Sequence, residues 1–465
     1  MKKFVVLLVV AALTCISTSA FAVHEEESTQ PGIVKTEPGV TAGVAMTFSG
    51  AIDIRQRFYN LGTGNTTGIF TGTPTVPART TNTQERVRFN VDAKVGDYLN
   101  GRITIENDWD TFNRVEQPQG NGQTTGAAAN GRPEVREAWM NFMIPGIPVG
   151  VKGGHQLMQL GNGWFFRSMK YGSDAWVVYN GTGNNTLAFY DVRVGENVAA
   201  QPDQDIDFYG ILDAYKLADG VISVDLTWAA APSSGGPFTT IFGNPGDKVN
   251  LYNLGISYAG KVGPVHLKAE VDGQMGKAEN VGGTGEDVDF KGYQAVVQGS
   301  VPMDPLTINF TLAYGTGFKE DSEDADQIIT VMDADQHYTL IYEYLEQTGA
   351  LNTVNAGNAN ESLHTGFANT MAASLGLMFN LSKSLAIGFD YWYLQATEDV
   401  AINGNLEPSN KLGNEVDLKL NWKLYDNLTW NWQAGWFQHG DAYKHADGTD
   451  ADDSTAVLGM LSFKF

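Results

Sequence analysis

Cysteine is all but absent. The 465 residues include one, Cys15, so no disulfide can form within the chain. Long apolar runs are missing too. Beyond the first 22 residues none approaches the roughly 18–20 residues that a spanning helix needs, which excludes a polytopic helical membrane protein. Basic residues are few, 30 Lys+Arg against 53 Asp+Glu, for a formal charge of −23. That balance argues against nucleic-acid binding, which needs a basic face to neutralise phosphates. Catalytic signatures are absent as well. There is no G-x-S-x-G elbow, HExxH, P-loop or GxGxxG fingerprint, and the seven histidines are scattered. What the chain does have is 42% hydrophobic residues, 11% aromatics and 53 glycines. Yet its mean hydropathy is only −0.21. Some pattern must spread the apolar residues so that no run grows long.

Residues 1–22 read as a secretory signal. Lys2 and Lys3 form the charged start, residues 4–13 the apolar centre and Ala20-Phe21-Ala22 the cleavage site. Ala12-Leu13-Thr14 before Cys15 fits a lipobox poorly. Cleavage after Ala22 would remove Cys15, and with it thiolate metal sites, a Cys nucleophile and c-type haem attachment. It would also remove two lysines and no acid, taking the formal charge from −23 to −25. Residues 23–43, with Glu25-Glu26-Glu27, Pro31 and Pro38, carry no periodic pattern and are expected to form a short disordered periplasmic tail.

From Val44 onward the dominant period is two. In residues 86–95 one face is Val87, Phe89, Val91, Ala93 and Val95, and the other is Arg86, Arg88, Asn90, Asp92 and Lys94. In 265–272 Val265, Leu267, Ala269 and Val271 alternate with His266, Lys268, Glu270 and Asp272. In 416–423 Val416, Leu418, Leu420 and Trp422 alternate with Asp417, Lys419, Asn421 and Lys423. Strict alternation of this length is a strand signal.

Short and long connections alternate. Short ones are expected at 96–100, 144–148, 180–184, 218–220, 259–263, 301–305, 381–384 and 424–427. Long ones are expected near 61–83, 113–133, 155–173, 195–204, 231–247, 277–287, 318–368, 397–411 and 440–453. Between them lie about 18 strands, with 16 to 20 allowed, each near the ~9–11 residues of a tilted spanning strand. The least defined places are the short strand at 174–179 and the loop 318–368, which could hold a further hairpin around Tyr338–Tyr344. The expected fold is all-β: a transmembrane antiparallel β-barrel over 44–465, with short periplasmic turns and long extracellular loops. Hydrocarbon offers the backbone no hydrogen-bond partner, so a spanning sheet must close on itself. An apolar outside and a wet, polar inside then give each strand near-neutral hydropathy.

The last strand steps back from Phe465 through Phe463 and Leu461 on one face. It resembles the C-terminal signal read by the barrel assembly machinery. Aromatics near predicted strand ends, Tyr258, Tyr314, Trp422, Tyr425 and Trp430, suit the headgroup region. With the opening strand Met46-Thr47-Phe48-Ser49-Gly50-Ala51-Ile52-Asp53-Ile54-Arg55 and the stretch Val135-Arg136-Glu137-Ala138-Trp139-Met140-Asn141-Phe142, the chain resembles the Gram-negative outer-membrane porins over essentially its whole mature length. The resemblance implies residence in the outer membrane among lipid and lipopolysaccharide, a passive channel, a homotrimer and a third extracellular loop folded into the lumen. The matching loop is 155–173. Trp164, Phe165 and Phe166 would then line the constriction or pack the loop on the wall, and Arg167 and Lys170 would add positive field.

Alternation sends Arg55 and Arg57 on the first strand, Arg86 and Arg88 on the second and Arg102 on the third toward the lumen, with Glu106 and Asp108 bordering them. Such a ladder can set ion selectivity, or it can be an internal salt-bridge network that stiffens the wall. The facing of the fourth strand is open, because neither Arg136, Ala138 and Met140 nor Glu137, Trp139 and Asn141 is cleanly apolar. The acidic stretches at 320–335 and 441–453 read as solvated charge with weak Ca²⁺ or Mg²⁺ binding at most. His439, Asp441, His445 and Asp447 are the weak candidates for a transition metal. No cofactor is expected.

Functionally the sequence points to a non-enzymatic channel for small hydrophilic solutes and ions, with a preference for anions. The alternative is a sleeve holding a partner such as a multihaem cytochrome, which would need an open interior. An active importer would need a larger barrel and a folded N-terminal plug.

Overall fold

The computed structural model describes residues 44–62, 79–111, 133–195, 206–231, 248–281, 285–317, 319, 322–332, 338–345, 366–400 and 407–465. The expected signal, 1–22, and tail, 23–43, lie outside the described residues.

Twenty strand segments belong to one sheet. In chain order they are β1 Val44–Asn60, β2 Arg79–Val95, β3 Leu99–Thr111, β4 Glu134–Met143, β5 Gly150–Gln159, β6 Phe166–Thr182, β7 Asn185–Gly195, β8 Ile206–Leu217, β9 Gly220–Ala231 and β10 Lys248–Val262. There follow β11 Val265–Glu279, β12 Val288–Asp289, β13 Tyr293–Met303, β14 Leu306–Gly315, β15 Val331–Met332, β16 Thr370–Asn380, β17 Leu385–Val400, β18 Ser409–Tyr425, β19 Leu428–His439 and β20 Ser454–Lys464. Two are dipeptides, β12 and β15. The remaining eighteen are the wall, each antiparallel to its chain neighbours.

The ring closes where β1 pairs with β20, Ile52 opposite Phe463 and Phe58 opposite Val457. Phe465 completes the seam: its N–H donates to Gly50 at 3.0 Å and its carbonyl accepts from Gly50 at 2.8 Å. The apolar C-terminal residues thus act as the closing strand.

The eight short connections fall where alternation places them, at 96–98, 144–149, 183–184, 218–219, 263–264, 304–305, 381–384 and 426–427. Several strands run further than their turn residues suggested. The weak strand at 174–179 is the middle of a 17-residue strand, β6. The loop expected at 155–173 shrinks accordingly, since β5 and β6 continue as a hairpin whose turn is only 160–165. Among the described residues the stretch Tyr338–Tyr344 shows no hairpin and carries a π-helical turn, Leu340–Leu345.

The two faces of the sheet differ as the physics of a membrane requires. On β2 the outer Val87 and Phe89 are about 40% exposed, while the alternating Arg86 and Arg88 are buried on the lumen side. The same contrast holds for Leu254 and Ile256 outside against Asn253 and Ser257 inside. Aromatic rows sit at the ends of this apolar band. Trp228 lies between Tyr209, with ring centroids 5.5 Å apart, and Tyr252, at 6.3 Å. Near the short turns Trp422 stacks on Trp430 at 6.2 Å, and Tyr425 is 73% exposed. Amphipathic rings of this kind favour the headgroup level. Among the described residues no helix is long and apolar enough to cross a membrane; the crossing is made by strands.

Candidate functional site: a constricted lumen between a basic and an acidic wall

Strands β1 to β4 build the basic wall. Register brings Asp53 opposite Arg86 and Arg88 opposite Glu106. Arg86 donates to Asp53 Oδ2 at 2.8 Å, and both are buried. Arg88 is ion-paired with Glu106. Arg102 grips Asp92 through Nε at 2.7 Å and Nη2 at 3.2 Å and lies 3.8 Å from Glu137. The open question about β4 is resolved by a bulge. Thr104 pairs with Glu137 but Ile105 pairs with Val135, so Arg136 is an extra residue in the ladder. The bulge turns Arg136 and Glu137 inward together, each 4% exposed. Arg136 Nε then lies 3.6 Å from Glu106, making an Arg88–Glu106–Arg136 triad. Ladder and rigid network are therefore one structure here. Arg55 donates to Gln84 and to Tyr344, each at 2.9 Å, and Arg57 donates to Asn82 at 3.1 Å. The side chain of Asp108 lies outside the described residues.

Among the described residues three segments reach into the barrel. The first is the β5–β6 turn, 160–165. Its tip crosses to the far wall, where one carboxylate receives it. Glu270 on β11 accepts the N–H of Trp164 at 2.9 Å, of Phe165 at 3.2 Å and of Asn162. Asn162 Nδ2 also donates to Ala269 O at 2.8 Å, and Gln294 Nε2 to Trp164 O at 2.9 Å. Gly161, at φ +53, is required: a Cβ there would sit 2.6 Å from Glu270 Oε2. The second segment is 327–332. Val331 and Met332 pair in parallel with Phe166 and Arg167, and Gln274 brackets Ile329, its Oε1 accepting the Ile329 N–H at 2.9 Å and its Nε2 donating to Ile329 O at 2.5 Å.

The third segment, 338–345, repeats the logic of the first. Glu415 on β18 accepts the N–H of Ile341 at 2.6 Å and of Tyr342 at 2.8 Å. Both latching glutamates sit in the same tripeptide, Glu270-Val271-Asp272 and Glu415-Val416-Asp417, with the acids facing the lumen and the valine outward. A carboxylate binding two or three backbone N–H groups is a strong, directional anchor.

The aromatics of the first turn are buried. Phe165 and Phe166 pack on Phe208 at 6.2 and 5.9 Å, and Trp164 on Phe367 at 4.7 Å. Their rings hold the turn in place rather than facing open space. Arg167 is half-buried on the inward arm and its Nε has no hydrogen-bond partner. The side chain of Lys170 lies outside the described residues.

The metal candidates of the last loop point elsewhere. His439 Nδ1 meets Asp452 O at 2.7 Å and its ring lies 4.3 Å from Tyr443. Asp441 pairs with Lys411 and, at 2.9 Å, with Lys444; the hydrogen bonds from these lysines lower its pKa to about 2. Asp447 accepts from Thr449. Among the described residues no three His, Cys, Asp or Glu side chains gather in a way that could hold a metal ion. Of the acidic stretch at 320–335, Glu320, Asp321, Asp333 and Asp335 lie outside the described residues.

A closed eighteen-strand wall, an apolar outer band and inward-folded loops together define the architecture, and solved structures share it. OccK2 (OpdF) of Pseudomonas aeruginosa, in complex with glucuronate, superposes with a TM-score of 0.51 at 12% identity, covering 92% of this chain and 99% of its own. The chain has the outer-membrane porin fold. OpdK of the same organism, with vanillate, gives 0.50 at 10% identity over 90% and 98% of the two chains. OccK9 (OpdG) gives 0.51 at 12% over 90% and 98%. At such identities the likeness is one of fold. No family model and no curated protein matches the chain. Within the porin fold, sequence reasoning had missed Arg136, Glu270 and Glu415. The signal for the two glutamates was present as acids on the polar face of otherwise apolar-alternating strands.

Proposed function

We propose that this chain is a porin of the Gram-negative outer membrane, a water-filled channel for passive diffusion of small hydrophilic solutes with a preference for anions. One observation carries the preference. The Arg55 guanidinium donates to Tyr344 on the third inward segment, so a fixed positive charge stands beside a segment that narrows the lumen. Arg57, next on the same face, donates to neutral Asn82. A low-dielectric constriction amplifies the field of such groups. Solved porins of this fold bound to glucuronate and to vanillate make small organic carboxylates a reasonable solute class. The three inward segments among the described residues support the channel over the sleeve, which would need an open interior. Assembly as a homotrimer, contact with lipopolysaccharide and recognition of Phe463 and Phe465 by the barrel assembly machinery belong to the same proposal.

The test is the zero-current potential of the refolded protein in a planar bilayer under a chloride salt gradient. The wild type shows anion selectivity, and Arg57→Glu reverses or abolishes it. Arg57 is the residue to change because its partner is uncharged, so reversal strands no buried carboxylate. Cation selectivity that is the same in both proteins would sink the reading.

A further inference from the structure

Lys152 on β5 stands beside the basic wall without a carboxylate of its own. Glu137, turned inward by the bulge, sets the parity of β4, so Trp139 and Asn141 follow it on the lumen side. Lys152 pairs with Asn141, and residues directly opposite in an antiparallel ladder share a face. The ammonium lies 4.1 Å from the centre of the Trp139 ring. Among the described residues it makes no hydrogen bond and no ion pair. A ring face attracts the charge but offers no lone pair to the N–H donors of the ammonium. The carboxylates on the adjoining strands are engaged elsewhere. Glu137 accepts the Trp139 Nε1–H at 2.9 Å and lies 3.8 Å from Arg102, and Arg102 also grips Asp92 at 2.7 Å. The bond to Glu137 fixes the indole, and the indole fixes the lysine.

A second aromatic brackets Lys152 from the other side. Tyr179 on β6 reaches across β5 and donates its hydroxyl to Asn141 Oδ1 at 3.0 Å. It lies flat over Gly150, where a Cβ would sit 2.3 Å from the Tyr179 ring. Asn141 Nδ2 is held in turn by Asn100 Oδ1 at 2.9 Å. Along β5 the lysine therefore stands between a residue covered by Tyr179, Gly150, and one opposite Trp139, Gly154. Trp139, Lys152 and Tyr179 are all half-buried, so the niche stays open to the lumen. A cation held in advance between two fixed rings is preorganised for a ligand.

Its place is away from the constriction. Lys152 is near the start of β5, beside the short turn 144–149, whereas the inward turn 160–165 leaves from the other end. Lys216 on β8 and Lys261 on β10 share the lumen parity at that same end of their strands and are exposed. Their field favours anions there.

We propose that Lys152, bracketed by Trp139 and Tyr179, is a second anion site of the lumen, on the short-turn side of the constriction, which takes a carboxylate or phosphate oxygen of the passing solute. A lysine is a compact point charge and suits one anionic oxygen. The Tyr179 oxygen and the second Asn141 Nδ2 hydrogen serve a neighbouring polar group of the same solute. Conduction needs sites that a solute can enter and leave, and this one receives what the arginines release. The route rests on the channel reading; binding at Lys152 does not.

Amine footprinting of the full-length protein, refolded in detergent, tests the site without any current. Lysines are propionylated with an N-hydroxysuccinimide ester at fixed pH and ionic strength in chloride, acetate or inorganic phosphate, and peptide mass spectrometry reads each rate. Acetate or phosphate is expected to slow labelling of Lys152 relative to chloride, by about threefold once the anion is at about twice its dissociation constant. Lys383, exposed in the turn 381–384, is unchanged. Protection by one of the two anions alone identifies the group that is bound. Trp139→Leu loses the protection and Trp139→Phe keeps it, in variants whose heat-modifiable migration shows them folded. Equal Lys152 rates in all three salts overturn the proposal. So does equal protection of Lys383, which marks a general salt effect, or undiminished protection in folded Trp139→Leu. Cation selectivity or absence of current would remove the channel reading and leave this binding result standing.

Discussion

In Glu270→Ala the β5–β6 turn leaves the far wall and single-channel conductance rises. Three backbone N–H groups, of Asn162, Trp164 and Phe165, lose one shared acceptor. Each buried donor left unsatisfied costs about 1–3 kcal/mol, more than most local contacts return. The turn therefore exchanges its buried position for one in which water satisfies those groups. Because the turn crosses the lumen, its departure widens the narrowest section, and an increase of about twofold in conductance is expected where cross-section limits flow. Glu270→Gln should behave in between, since one amide oxygen still accepts. Glu415→Ala should act likewise on the third segment through Ile341 and Tyr342. Conductance and channel noise in planar bilayers read both. Unchanged conductance in folded Glu270→Ala would mean that the turn is held by its packing on Phe208 and Phe367 instead.

Glu106→Ala should cost the barrel more stability than any single arginine replacement on the same wall. Glu106 is 2% exposed and serves both Arg88 and Arg136. Removing it takes the shared carboxylate from two buried guanidiniums, and breaking one buried pair already costs about 3–5 kcal/mol. Arg88→Met, by contrast, leaves Glu106 beside Arg136. The midpoint of unfolding in guanidinium, followed by tryptophan fluorescence in detergent, separates the two. A Glu106→Ala midpoint equal to that of Arg88→Met would show the triad to be unimportant.

The period-two pattern carried most of the fold to the surface of the sequence. Val87 and Phe89 against Arg86 and Arg88 already encode which side meets lipid, and the turns follow from where that alternation stops. The arginine wall was legible for the same reason. On β4 alternation failed because a bulge adds Arg136 to the ladder and turns two consecutive residues inward. On β6 it failed because the inward arm starts at Phe166 within the barrel, where no lipid face imposes a pattern. The aromatic, β-branched stretch around Tyr338–Tyr344 suggested a hairpin. It forms a π-helical turn instead, its backbone satisfied by Glu415 and its rings buried, with Tyr338 4.4 Å from Phe367 and 5.6 Å from Trp392. The latches themselves were out of reach. Trp164 and Glu270 are 106 residues apart, and their bond uses a backbone donor that no side-chain pattern reveals. The formal charge of −23 does not describe the wall of β1 to β4, where Asp53, Asp92, Glu106 and Glu137 are each within ion-pair distance of an arginine.

The central claim is that this barrel conducts by itself. Single-channel recording of the purified, refolded protein in a lipid bilayer, with no partner added, tests it most directly. The account predicts discrete, ohmic openings that persist in salt alone and carry more chloride than potassium. A correctly folded barrel that inserts and passes no current would contradict it.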